Sequence, residues 1–451
     1  IRLSWHAFVG DDPQARRKNK DFAGEKSIAD FVAALEFDEK RGAVATEADF
    51  HLGIEVRKGE KTLTKLGFSG PWLIRWNDGA WKGDGVLTRE GSRKLCQWLE
   101  AHGLPEWERE RRAIQAEVES NRRRFEGLLA AFPKECEAVL KKPLRPKALF
   151  HEGSEEDVKE HADELQKLTK TKASLAACVF RAYRDDDREL GFYDIYDILL
   201  ASLLKRCSPA DVFAGLKELK GDAKSLAGSS RFMLGDYYGA IPTAERDEWT
   251  LRICRAALAE APFSARSRAL SVLAGNKSDS ALEVLRDAGA GKGMGKAAEL
   301  ESRRPHEPGL AAQAGFWLGV RKDAASIPLL RAAQKGTRDS DRTVWRLALQ
   351  MSGAEKIALE PKDYETDSVF RAEAVSRAAA RLGGREGMDF LVKHGLGHRA
   401  YFVNAAAAQG VRVVAQRDFP TGPAPPAGER AFDELAKWWS AHPANKPQSK
   451  P

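Results

Sequence analysis

Five short alanine-rich stretches, each reaching a glycine, recur through the last 190 residues of this 451-residue chain and limit what it can fold into. They are Ala269–Gly275, Ala314–Gly319, Leu347–Gly353, Ala378–Gly383 and Ala405–Gly410. Their glycines, at 275, 319, 353, 383 and 410, stand 44, 34, 30 and 27 residues apart, an irregular version of a helical-repeat spacing. Each stretch predicts a short helix whose alanines admit a close neighbour and whose glycine permits the left-handed turn that ends it. A second amphipathic helix follows several of them, as in Ile327-Pro328-Leu329-Leu330 and Met388-Asp389-Phe390-Leu391-Val392. One such pair cannot bury its apolar face alone, so the pairs must stack.

The helical period begins well before the repeats. Trp107, Ile114, Val118, Phe125, Leu128 and Phe132 recur at steps of three, four or seven, which predicts one helix from Pro105 to Phe132. The run Glu106-Trp107-Glu108-Arg109-Glu110-Arg111-Arg112 has the interleaved charge of a solvated helix face. Lys141-Lys142-Pro143-Leu144-Arg145-Pro146-Lys147 breaks the pattern, and Ser154 then caps a helix opened by Glu155, Glu156 and Asp157. Helices are expected over Ala173–Tyr183, Phe192–Lys205, Ala210–Leu219 and Glu248–Ala261, so residues 104–261 read as all-α. The repeat region covers 262–441. A cap helix, Glu429–Ala441, closes it after the proline-rich loop Pro420–Pro426, and Trp438 and Trp439 seal the last core face. Within it, Ile357 to Thr366 lacks a convincing second helix. Residues 442–451 hold three prolines and two lysines with almost nothing apolar, and are expected to fray.

Strand chemistry is confined to the first quarter, residues 1–103, which read as a small α+β domain with antiparallel hairpins. Phe50 to Val56 alternates with a period of two, and Lys58-Gly59-Glu60-Lys61 supplies a turn. Trp72, Ile74 and Trp76 share one strand face, and the Asp78-Gly79 turn sets Trp76 opposite Trp81. Thr88 caps a helix striped by Leu95, Trp98 and Leu99 and stopped by Gly103, while a helix around Ser27 to Leu35 packs on the same sheet.

Two repeat units share a start, Asp341-Arg342-Thr343-Val344-Trp345-Arg346 and Asp367-Ser368-Val369-Phe370-Arg371, and several helices end in Ala-x-x-Leu-Gly-like sequence. With the proline of Ile327-Pro328-Leu329-Leu330, these features resemble a HEAT-repeat α-solenoid, closely over 262–440 and loosely over 105–261. The resemblance implies a mainly α protein: an irregular solenoid of helix pairs behind a small α+β domain. It also implies a curved scaffold that holds a protein, or a nucleic acid, along one surface.

A chain that is 43% hydrophobic and 31% charged is globular rather than disordered. Apolar runs such as Ile198-Leu199-Leu200 are too short to cross a bilayer. The chain begins at Ile1 without a basic-then-apolar leader, which fits either a removed signal segment or a fragment, in the cytoplasm or exported. Five scattered cysteines make neither a disulfide framework nor a Cys-x-x-Cys zinc site, and Cys96 and Cys178 sit in apolar company. The glycine-rich Ala288–Ala297 fails the phosphate-loop pattern and reads as an inter-repeat loop. Asp185–Gly191 lacks the glycine and glutamate of a calcium loop and reads as a helix N-terminal acidic cluster. His394 and His398 are four apart, but Gly395 and Gly397 place them in a loop with no third ligand nearby. No cofactor or metal is expected.

Binding candidates remain in two places. Trp72, Trp76 and Trp81 form an aromatic group that is also the only core this sheet can have, with Arg75 and Lys82 on the opposite face. Lys141, Lys142, Arg145 and Lys147 form an acid-free basic run suited to phosphates. The net charge of +7 lies almost wholly beyond residue 103, since 1–103 holds 17 basic and 16 acidic residues. The reading these features favour is a non-enzymatic scaffold for a protein partner. The alternative is a nucleic-acid-binding HEAT-like protein, including a repair enzyme of the DNA glycosylase kind. A third reading makes the N-terminal domain an enzyme and the solenoid its substrate platform.

Overall fold

The computed structural model describes residues 2–7, 18–22, 25–38, 52–58, 60–76, 84–142, 144, 155–184, 195–295, 306–335, 339–420, 423–428 and 431–445. It is mainly helical, with one antiparallel sheet near the N-terminus. Two compact units divide it, Ile1–Arg123 and Arg124–Pro451. The sequence reading borders its first domain at 103/104, whereas this division falls inside a helix, and residues 124–451 form one unit.

In the first unit the strands are β1 (Arg2–Ala7), β2 (Lys18–Phe22), β3 (Leu52–Lys58), β4 (Lys61–Ser69), β5 (Leu73–Trp76) and β6 (Asp84–Val86). They lie in the order β2-β1-β3-β4-β5-β6. The alternation expected for β3 holds at Leu52 and Ile54, which face Phe68 and Leu66 of β4, all four buried, but breaks at Glu55, which is buried too. Helix α1 (Glu25–Ala34) places Phe31 in that core. Helix α2 (Arg89–Ala101) adds Leu95, Trp98 and Leu99; the Thr88 side chain accepts from Gly91 N, and Gly103 follows with φ 92°. The long helix α3 (Pro105–Ala131) matches its predicted span. Its first turns are solvated only in part: Glu106, Arg109, Glu110 and Arg112 are exposed, whereas Trp107, Glu108 and Arg111 are buried.

The second unit continues with α4 (Glu137–Leu140), α5 (Glu155–Leu168), α6 (Lys172–Ala182), α7 (Ile195–Lys205), α8 (Pro209–Lys217), α9 (Ala223–Met233), α10 (Arg246–Glu260), α11 (Phe263–Gly275) and α12 (Asp279–Gly289). After these come α13 (Leu310–Val320), α14 (Ile327–Gln334), α15 (Asp339–Ser352), α16 (Val369–Leu382), α17 (Gly384–Phe390), α18 (Tyr401–Asp418) and α19 (Phe432–Ala441). Helix α9 falls outside the helical spans expected from sequence. Its Asp222 cap and buried serines hide the apolar period.

The repeat glycines have two different roles. Gly353 (φ 86°) and Gly383 (φ 66°) end α15 and α16, as expected. Gly319 and Gly410 instead lie inside α13 and α18, where they admit close neighbours. A Cβ on Gly319 would sit 2.2 Å from Ala348 O, and one on Gly410 would sit 2.8 Å from Leu391 Cδ2. Sequence alone does not separate these roles, since both require a missing side chain.

Arginines repeatedly tie the end of one helix to another segment. Buried Arg266 donates to Ala261 O at 2.6 Å and Ala259 O at 3.0 Å, at the end of α10, and also to Met294 O. Arg321 reaches Asn276 O at the end of α11, and Arg417 donates to Ala380 O of α16 at 2.9 Å. These donors meet carbonyls that have no intrahelical partner. A separate ionic hub lies deeper. Asp197, 2% exposed, accepts from Tyr183 OH at 2.8 Å, with Arg124 at 3.5 Å and Arg231 at 3.7 Å.

At the C-terminal end the cap helix covers Phe432–Ala441, and Trp439 is buried with its indole N–H on Asp389 Oδ1 at 2.7 Å. The expected fraying does not start at His442. That ring is 4% exposed, stacks on Trp439, and precedes a short turn at Pro443–Asn445.

Candidate functional site

Helices α13, α15, α16 and α18 border a groove of ≈ 280 Å³. Its aliphatic lining comes from Val320, Met351, Ala380, Ala406 and Val413, the last 52% exposed. Its rim carries Arg377, Arg381 and Arg417 against Glu373. Arg377 and Arg381 share a face of α16 because they are four apart, and of the alanines between them Ala380 lines the groove.

The rim differs in how tightly each arginine is held. Arg377 donates to Glu373 Oε1 at 2.8 Å, and its guanidinium stands 4.9 Å over the Trp317 ring. Arg417 donates to Asp418 Oδ1 at 2.6 Å, and that contact holds the Asp418 carboxyl below its usual range. Arg381 has no carboxylate partner among the described residues. Ser376 lines the groove, but its hydroxyl is buried against Tyr364 OH at 2.7 Å. Burial pushes that phenol far above its ordinary value, so the pair is neutral structure and not an activated nucleophile. An aliphatic floor beside a guanidinium that no described carboxylate meets suits a carboxylate next to an apolar side chain.

The candidates read from sequence fall elsewhere. Arg75 is held in a fork on Asp84, with bonds of 2.7 and 3.0 Å to a carboxylate 1% exposed. Trp76 packs against the first unit's core and donates to Thr64 Oγ1 at 2.6 Å, and half-buried Trp72 lies in the turn before β5. The β5–β6 ladder pairs Leu73 with Val86, Ile74 with Gly85 and Arg75 with Asp84. That register is two residues away from setting Trp76 opposite Trp81. Trp81, Lys82, Arg145 and Lys147 lie outside the described residues.

Lys141 and Lys142 are exposed, but each meets a carboxylate: Lys141 that of Glu137, and Lys142 that of Glu164 at 2.8 Å. Of this run, Lys141 is thus paired from one helical turn back and Lys142 from 22 residues ahead. His394 lies in a helical turn, Leu391–Leu396, that continues α17, and not in a loop. Its ring packs on Phe390, and His398 Nδ1 accepts from Ala400 N. Among the described residues no group of three His, Cys, Asp or Glu is placed to hold a metal ion, and no helix is long and apolar enough to cross a membrane. Asp185–Gly191 lies outside the described residues.

The signal that could have found the groove is the Arg377–Arg381 spacing across three alanines. What hid it is that Arg417 and Val413 come from a helix beyond an intervening segment. No protein family matches the chain, and neither a curated protein nor a solved structure matches it.

Proposed function

We propose that this chain is a non-enzymatic scaffold that binds a protein partner, with its helices stacked as a HEAT-like solenoid. The observation that carries the reading is the groove between α16 and α18, an aliphatic trough with Arg381 at its rim, which has no carboxylate partner among the described residues. The stacked arrangement draws support from contact order. In the second unit the main helix contacts join near neighbours in the chain, such as α5 with α7, α6 with α8, α13 with α15, and α16 with α18. The pairing of Lys141 and Lys142 with carboxylates favours a protein over a polyanion as the occupant.

The test is display of random peptides against the full-length chain. Peptides with a carboxylate next to aliphatic residues are expected to be enriched, and Arg381→Glu, with an unchanged circular dichroism spectrum, should abolish their retention. No enrichment, or enrichment indifferent to Arg381→Glu, overturns the groove reading. Salt-dependent binding of duplex DNA without peptide binding would replace it with the nucleic-acid alternative.

A further inference from the structure

The segment between α18 and α19 is held in an unusual way. Residues 423–428 read Pro-Ala-Pro-Pro-Ala-Gly and have no regular secondary structure. Among the described residues, no backbone–backbone hydrogen bond ties 423–427 to the rest of the chain. Side chains bind the main chain instead. The Trp438 indole N–H donates to Pro423 O at 2.8 Å, and the Arg412 guanidinium donates to Pro426 O at 3.2 Å and Gly428 O at 2.6 Å.

Three prolines in six residues fix φ near the extended left-handed helix, which has no internal hydrogen bonds and leaves its carbonyls outward. An aromatic ring with a polar N–H, beside a second donor, is the chemistry that reads such a strand, because it needs only carbonyls and proline faces. Trp438 is half-buried and braced by Trp439 at 6.1 Å and His442 at 5.1 Å, so the indole is positioned before any ligand arrives. Pro425 and Pro426 are half-buried, while Pro423, Ala424, Ala427 and Gly428 are exposed.

We infer that the Trp438–Arg412 surface is a recognition site for proline-rich segments of other proteins, and that residues 423–428 occupy it as an internal, displaceable ligand. It is distinct from the α16–α18 groove and does not depend on it. The tethered segment competes at a high effective concentration, so the intact chain binds such partners weakly until the segment is displaced.

The experiment uses the full-length chain with residues 423–428 replaced by glycine and serine at equal length. A synthetic peptide of the sequence 419–430 is titrated by calorimetry, with tryptophan fluorescence as a second readout. Saturable binding is expected, about ten-fold tighter than to the unaltered chain. In the replaced chain, Trp438→Phe keeps the ring but loses the donor and should weaken binding about five-fold. Arg412→Lys should weaken it as well, since an ammonium does not reproduce a planar fork. Arg381→Glu should leave it unchanged, which separates this site from the groove. Absence of peptide binding to a replaced chain that keeps its thermal unfolding midpoint overturns the proposal, as does undiminished binding by both Trp438→Phe and Arg412→Lys.

Discussion

The Trp345 ring of α15 occupies the space a Cβ on Gly315 would need, with its Cζ3 2.1 Å from that position. One turn on, Gly319 faces Ala348 O in the same manner. The α13–α15 contact thus depends on two absent side chains, not on the helix-ending property of glycine. By helix propensity alone, Gly315→Ala would gain up to about 1 kcal/mol. Overlap with a buried indole costs about 1–3 kcal/mol and wins. Gly315→Ala is expected to lower stability by about 1–2 kcal/mol in urea unfolding. Gly275→Ala, with nothing within 4 Å of the new carbon, should be neutral or slightly stabilising. Equal effects of the two substitutions would contradict this division of roles.

Arg266 is 3% exposed and directs its donors at carbonyls of the α10 terminus and of Met294. Arg266→Met leaves buried carbonyls without that partner, each a loss of about 1–3 kcal/mol, so a drop of about 3 kcal/mol is expected in urea unfolding. Arg266→Lys should recover little of it. Because Met294 belongs to the glycine-rich turn, faster tryptic cleavage after Lys292 should accompany the loss.

How much of this was legible varied with the range of the interaction. The spans of α2 and α3 follow from caps and period, which are local: Thr88 and Gly103 for one, Pro105 and the Trp107–Phe132 stripe for the other. The β5–β6 register, with Arg75 opposite Asp84, differs from the expected one because a strand's own alternation does not name its partner. Lys142 looked free because Glu164 is 22 residues away in sequence. The groove was hidden for the same reason, since one wall comes from α16 and the other from α18. In the second unit, helix formation is written locally, whereas the surface that helix packing creates is not.

The cysteines offer a test of burial. Desolvation pushes the thiols of Cys96 and Cys254 up to about 12, and those of Cys178 and Cys207 up to about 11. All five cysteines, Cys136 included, are buried free thiols. A thiol held that high is almost wholly protonated at pH 8 and shielded from reagent. Ellman titration of the native chain should therefore release well under one equivalent, and in guanidinium all five should react. Fast reaction of any one under native conditions would mean that its helix opens readily.

Glu108 links the fold to pH. It lies one turn into α3, buried, and accepts from Arg111 Nε at 2.7 Å and Nη2 at 2.8 Å and from Arg112 Nε at 2.8 Å. The Arg111 hydrogen bonds, ahead of the opposing cost of burial, lower its carboxyl from 4.5 to about 2. The folded value lies below the unfolded one, so the ionised group contributes its full stabilisation above about pH 4.5. That stabilisation is lost as the pH falls towards 2. A displacement of this size is worth about 3 kcal/mol at neutral pH. Glu108→Gln should lower stability at pH 7 by up to that amount and flatten the acid limb of stability against pH between about 4.5 and 2. Urea unfolding of both proteins across that range, followed by tryptophan fluorescence, measures the difference. Parallel acid limbs for wild type and variant would show that the Glu108–Arg111 pair is not what the first unit loses in acid.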